Sequence, residues 1–198
     1  MNFLAHSYLS GSDHKILVGN FIGDFVKGKQ YKNYDDSIQK GIILHREIDY
    51  YTDKHEVYLD SKSRLKSKYR HYSGVIVDMF YDHFLAANWT DYCDQDLLLY
   101  TQDIYKKINA HIDIVPEGVK RLLSYMVPGN WVYAYGGLEG LNAALTGMSH
   151  RTKFESKMEQ ATDDLKSNYA EFQSEFRLFF PEVIRFAESF DFVKMGKS

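Results

Sequence analysis

With one cysteine, Cys93, in 198 residues, the chain can form no internal disulfide and no cysteine-built zinc site. That excludes a stapled secreted scaffold and a zinc ribbon. Prolines are as scarce: Pro116, Pro128 and Pro181 are the only three, so long stretches run free of helix breakers. No run of about 18 consecutive apolar residues occurs, and no helical membrane span is expected. Met1-Asn2-Phe3-Leu4-Ala5-His6 lacks the basic start and apolar stretch of a secretory leader, so the expected setting is the cytoplasm. Basic residues are not in excess. The formal net charge of −3 has the wrong sign for a dedicated nucleic-acid binder. Missing too are a Gly-x-Ser-x-Gly elbow and a Gly-x-x-x-x-Gly-Lys loop, and Cys93 sits in a polar Tyr-Cys-Asp context with no activating base beside it.

What is present is aromatic and helical. The 16 Tyr, 13 Phe and 2 Trp call for an interior in which tyrosine hydroxyls find polar partners. Apolar residues recur three and four apart, and clean alternation bracketed by turn residues is missing. The spacing predicts helices over 2–9, from a cap at Asp13 to the Gly28 region, from Asp35 or Asp36 through His45 and Asp49, and over 73–89. Further helices are expected from a cap at Asp94 to His111, from Pro116 to Val127, and from a cap at Ser149 to Phe179, with Pro181 opening a short last one. The expected fold is all-α, a single compact helical domain spanning 1–198.

Acids and histidines interrupt several apolar helical faces. His45 and Asp49 lie one turn apart in Ile43-Leu44-His45-Arg46-Glu47-Ile48-Asp49, with Asp53 a further turn along, and Asp78 and Asp82 do so in Val77-Asp78-Met79-Phe80-Tyr81-Asp82-His83. Asn20 and Asp24, and Asn2 and His6, repeat the pattern. Buried carboxylates require a partner charge, a proton or a metal ion. Pairs at helical spacing on different helices converge readily on one ion. Neutral His and ionised Asp suit Mn²⁺, Fe²⁺ or Zn²⁺, and carboxylate-rich sites also suit Mg²⁺. The competing arrangement is a buried salt-bridge network in which Arg46 answers Asp49 and Asp82. Elsewhere, Lys62, Arg64, Lys66, Lys68 and Arg70 form a basic run with no acid, read either as a solvated segment or as a dock for an acidic partner.

These motifs together resemble a known family. Asn2-Phe3-Leu4-Ala5-His6, Gly19-Asn20 through Gly23-Asp24-Phe25-Val26-Lys27-Gly28, Leu44-His45-Arg46 with Ile48-Asp49 and Thr52-Asp53, Tyr81-Asp82-His83-Phe84-Leu85, Gly147-Met148-Ser149 with Arg151, and Phe179-Phe180-Pro181 resemble, in the same order, the acyl carrier protein phosphodiesterases. That family is similar to the helical HD phosphohydrolases, which implies an HD-like helical bundle, although the adjacent pair here reads Asp82-His83 rather than His-Asp. The resemblance implies hydrolysis of holo-acyl carrier protein to apo-carrier protein and 4′-phosphopantetheine with a divalent cation, Mn²⁺ or Mg²⁺. It implies a ligand pool of His6, Asp24, His45, Asp49, Asp82 and His83, with catalytic roles among Asp24, His45, Asp49, Asp82 and His83. Asp78 is expected to orient a ligand, and Arg46 and Arg151 to contact phosphate. The protein substrate is acidic, so Lys62, Arg64, Lys66, Lys68 and Arg70, with Lys27 and Lys29, are candidates for docking it. No nucleic acid and no membrane are expected as partners. The alternatives are an HD-type phosphohydrolase of nucleotides or small phosphoesters, and a non-catalytic helical module that binds carrier protein.

Overall fold

A computed structural model describes residues 1–192; the last six residues of the expected 1–198 domain lie outside the described residues. Eleven α-helices and several 3-10 turns make up the described chain, which contains no β-strand. The helices are α1 (Phe3–Tyr8), α2 (His14–Ile22), α3 (Asp36–Lys54), α4 (Glu56–Tyr69), α5 (Ser73–Ala87) and α6 (Leu97–Asn109). There follow α7 (Glu117–Met126), α8 (Trp131–Ala134), α9 (Leu138–Ser149), α10 (Ala161–Ser167) and α11 (Tyr169–Glu188). The all-α expectation holds. Among the described residues no helix is long and apolar enough to cross a membrane.

Short polar side chains start the early helices. Asn2 Oδ1 accepts from Phe3 N, Asp13 from Lys15 N and Ile16 N, and Asp35 from Ile38 N, satisfying N–H groups that the helix itself leaves unpaired. Farther along, some expectations fail. Asp96, not Asp94, caps α6. The second helix stops at Ile22, and Gly23–Phe25 tightens into a 3-10 turn. Ser149 ends α9 instead of opening a long helix, and its hydroxyl donates to Glu159 across the following irregular segment. Leu141 and Leu145, upstream of it, are the buried positions that define that helix. Pro181 lies inside α11, where Phe172, Phe176, Phe179, Phe180 and Val183 are buried on both sides of it. Continuous burial of that stripe outweighs the hydrogen bond the proline removes.

The core forms around α5, whose Ile76, Val77, Met79, Phe80, Tyr81, Phe84 and Leu85 are fully buried. Against it α11 lays an aromatic row: Phe80 meets Phe172, Tyr81 meets Phe176 and Phe179, and Phe84 meets Phe176. The tyrosine hydroxyls find partners as expected. Tyr58 donates to Asp78 at 2.9 Å, Tyr81 pairs with Ser61, and Tyr8 donates to the Tyr92 carbonyl. On the other side of the molecule α2 and α3 cross closely. A Cβ on Gly19 would stand 2.2 Å from the Ile38 carbonyl oxygen, and one on Gly41 would stand 2.1 Å from that of Ile16. Only glycine permits this backbone approach, and the approach carries the N-terminal half of α3 against the end of α2.

Candidate metal centre

Four elements converge at that crossing. His6 comes from α1, Asn20 from α2, Asp24 from the 3-10 turn after it, and His45 and Asp49 from one face of α3. The two imidazoles stack, with ring centroids 4.1 Å apart. Gly23 leaves the room for this, because a Cβ there would lie 2.3 Å from the His45 ring.

Asn20 sets the chemistry. Its Nδ2 donates to the His6 carbonyl at 2.9 Å and to Ser10 Oγ at 3.0 Å, which turns Oδ1 toward the rings. His6 Nδ1 then lies 2.8 Å and His45 Nδ1 3.3 Å from that oxygen. An amide oxygen only accepts, so both Nδ1 atoms donate to it, and in a neutral ring that leaves Nε2 as a lone pair on the far side. Those lone pairs face carboxylates. His6 Nε2 is 3.2 Å from Asp49 Oδ1, while His45 Nε2 is 3.3 Å from Asp49 Oδ2 and 3.4 Å from Asp24 Oδ1. His45 Nε2 is buried without a hydrogen-bond partner.

A lone pair aimed at an ionised carboxylate is repulsive unless a cation stands between them. A proton is the poorer choice here, since burial, and then the neighbouring His45, hold His6 below the ordinary histidine value. Both acids are ionised. Asp24 is held below the ordinary carboxylate value chiefly by a hydrogen bond at His45, which requires a cation, a proton or a metal ion, on that ring nitrogen. Burial pushes Asp49 up, but a cation at His6 Nε2 and the N-terminal ammonium outweigh that and leave it well below the carboxylate range. A divalent metal ion fits. Donors about 2.1 Å from one ion stand about 3.0 Å apart at right angles and about 3.4 Å apart at the tetrahedral angle, the range of the three nitrogen-to-carboxylate separations here. His6, His45 and Asp49 offer ligand atoms all within 4.8 Å of one another. The two rings are buried, whereas the side chains of Asp49 and Asp24 are 41% and 72% exposed. The floor is therefore closed and the rim open to a substrate.

The other expected site residues lie elsewhere. Asp82 is fully buried but points at the start of α1. Its Oδ1 accepts from Asn2 N and Ala5 N, and its Oδ2 from Leu4 N at 2.8 Å. It therefore caps, from α5, the helix that carries His6. Burial pushes its carboxyl up to about 7 against the pull of these donors. His83, the next residue, projects about 100° around the helix. Its Nδ1 donates to the Tyr135 carbonyl at 2.7 Å and its Nε2 accepts from Tyr169 at 3.0 Å, so both nitrogens are used. Asp78 accepts from the Met1 ammonium and Tyr58. Asp53 lies 3.7 Å from Lys62. Arg46 answers neither Asp49 nor Asp82. It donates to the Val26 carbonyl at 2.7 Å and lies over the Tyr31 ring. Arg151 is exposed and donates to the Gly147 carbonyl. What the residue pattern did not reveal is Asn20 as the shared acceptor and the glycines that seat the rings. The spacing Gly19-x-x-x-Gly23 on an apolar helix was the readable sign of close packing.

Comparison with known proteins adds a family. Residues 1–183 match the family model described as acyl carrier protein phosphodiesterase. A protein of that name from Photorhabdus laumondii is 30% identical over 193 residues, covering 97% of this chain and 98% of the relative. Proteins of the same name from Serratia proteamaculans and Pectobacterium atrosepticum are 28% and 29% identical, each over 190 residues and 98% of the relative. No solved structure matches the chain.

Proposed function

The chain belongs to the acyl carrier protein phosphodiesterase family, and on that premise we propose that it hydrolyses the phosphodiester joining 4′-phosphopantetheine to a carrier-protein serine. Water adds to phosphorus and the bond from phosphorus to the serine oxygen breaks. The products are apo-carrier protein, with its serine hydroxyl restored, and free 4′-phosphopantetheine. The observation that supports this reading is the pair of bare Nε2 atoms which Asn20 turns toward Asp24 and Asp49.

His6, His45 and Asp49 would hold a divalent ion, with Asp24 at the open edge. Two imidazoles with two carboxylates suit Mn²⁺ better than Mg²⁺, which prefers oxygen donors and water. Such an ion lowers the pKa of water and offsets charge building on the phosphoryl oxygens. The protein's own share is positional. Asn20 fixes both ring tautomers, and Asp82 fixes the start of α1 and with it His6. Asp24, ionised and facing solvent, is placed to take the proton that water gives up. Arg46, partly buried and held by the Val26 carbonyl beside the Asp24 turn, is the guanidinium we propose for a phosphate oxygen. The setting we propose is the cytoplasm.

Mass spectrometry of holo-carrier protein incubated with this protein and Mn²⁺ is the test. Loss of the prosthetic-group mass, abolished by a chelator and restored by Mn²⁺, is the expected result. Unchanged mass together with turnover of nucleotides or small phosphoesters would move the reading to a general phosphohydrolase.

A further inference from the structure

Two basic surfaces offer themselves to an acidic partner, and the structure spends their charge differently. On α4, Lys62 lies 3.7 Å from Asp53, Arg64 pairs with Glu175, and Lys68 lies 2.8 Å from Asp164. Of that run only Lys66 and Arg70 carry no ion pair among the described residues. The second surface is the 3-10 segment Gly28–Asn33 and the residue before it. Lys27, Lys29 and Lys32 are exposed there, no acid occurs between Phe25 and Tyr34, and none of the three lysines is ion-paired among the described residues. The flanking acids do not answer them. Asp35 is 2.7 Å from Lys15, Asp36 is 2.7 Å from Lys40, and Asp24 faces His45.

We propose that the lysines of the 27–32 segment, chiefly Lys29 and Lys32, dock the acidic face of the protein substrate, in place of the α4 run. The proposal rests on the phosphodiesterase reading above. In that reaction the serine oxygen is itself an ester oxygen of the scissile phosphate. The body of the partner, not a long flexible arm, must therefore come down beside Asp24 and His45. The 27–32 segment follows Asp24 directly, and Lys27 Nζ donates to the Asp24 carbonyl. By contrast, Lys66 lies one helical turn beyond Lys62 on α4 and Arg70 lies past the end of that helix, farther along than Lys62, which pairs with Asp53. The segment is also held in shape. Arg46 grips the Val26 carbonyl, Gln30 accepts from Lys27 N, and Gln39 Nε2 donates to the Tyr34 carbonyl at 2.8 Å. Half-buried Tyr31 and Tyr34 add apolar contact between the charges. A rigid, unneutralised cationic strip at the rim steers an acidic partner and sets its orientation.

The test uses the full chain with Mn²⁺, holo-carrier protein and a small diester, bis(p-nitrophenyl) phosphate. The Lys29→Glu/Lys32→Glu variant should raise KM for holo-carrier protein by about tenfold or more at low salt, with kcat and small-diester turnover unchanged. The gap should close as salt rises. The Lys66→Glu/Arg70→Glu variant should change KM by less than about twofold. An unchanged KM in the first variant, or an equal rise in the second, overturns the proposal. If the unaltered protein releases no prosthetic group, the catalytic reading fails by itself. Titration against apo-carrier protein then decides the docking: affinity lost only in the Lys29/Lys32 variant supports it, and equal affinity or no binding at all by the unaltered protein sinks it.

Discussion

His6 and His83 are both buried, both sit on helices beside an aspartate-bearing face, and burial holds both below the ordinary histidine value. They differ in what the second ring nitrogen meets. His83 spends Nδ1 on the Tyr135 carbonyl and Nε2 on the Tyr169 hydroxyl, and so ties α5 to the segments around it. His6 spends Nδ1 on Asn20 and leaves Nε2 3.2 Å from a carboxylate, an arrangement suited to a cation. Burial and a depressed pKa do not by themselves single out a metal-ligand histidine; the partner of its second nitrogen separates the two.

The largest expected effect separates these two residues. Asp49→Asn removes the charge that both Nε2 atoms face, and should lower kcat/KM for holo-carrier protein by at least about a thousandfold, the several kcal/mol a catalytic cation supplies. Mn²⁺ binding, followed by titration calorimetry, should fall with it. His83→Gln should instead cost about 1–3 kcal/mol of stability in urea unfolding, through its two buried hydrogen bonds, and leave Mn²⁺ affinity within about twofold. Equal loss of metal binding in the two variants would erase the distinction.

A smaller effect is expected at Asn20, which touches no carboxylate of the centre but sets both tautomers. Asn20→Ala should weaken Mn²⁺ about 10–100-fold, the usual range for groups that orient ligands. Excess Mn²⁺ should recover much of the activity, which no concentration of metal should do for Asp49→Asn. Failure of metal to rescue would place Asn20 in the reaction itself.

Much of this was legible in the residue order. The i, i+4 relation of His45 and Asp49 puts both on the inner edge of α3, and Asp13 and the Asp35-Asp36 pair read as caps because each precedes an apolar-periodic run, whereas Asn2, read as the first helical residue, is itself the cap of α1. Asp82 and His83 were legible as buried but not as directed: adjacent residues on a helix face different neighbours, and which neighbours each meets depends on packing between distant segments. Arg46 shows the same limit. Its neighbours in sequence are a histidine and a glutamate, yet the crossing of α2 over α3 offers it the Val26 carbonyl. The glycines that permit this crossing carry no chemistry of their own, so nothing in their type announced the site. Ser149 was misread because a capping residue and a helix-ending residue are the same amino acid until the turn that follows is known.

The smallest effect concerns acid, and here the two histidines act in the same direction. Their folded values lie below the unfolded value near 6.5. As pH falls through that value the unfolded chain takes up protons that the folded chain refuses. Their contribution to stability is thus complete above about pH 6.5 and is lost toward the lower folded values, with a slope of at most about 1.4 kcal/mol per pH unit for each proton. Asp82 acts the other way in the same range, because its carboxyl, raised to about 7 in the folded chain, takes up a proton that the unfolded chain does not and offsets one histidine's share. Urea unfolding at pH 7.5, 6.5 and 5.5 should therefore show the remaining decline, and His83→Gln should flatten it by one group's share. Saturating Mn²⁺ should add stability at pH 7.5 and less at pH 5.5, because protons compete with the ion for the ring nitrogens. The increment should keep its pH dependence in His83→Gln and disappear in Asp49→Asn. A metal increment that survives in Asp49→Asn would mean that the ion binds elsewhere, and His6 would then be as structural as His83.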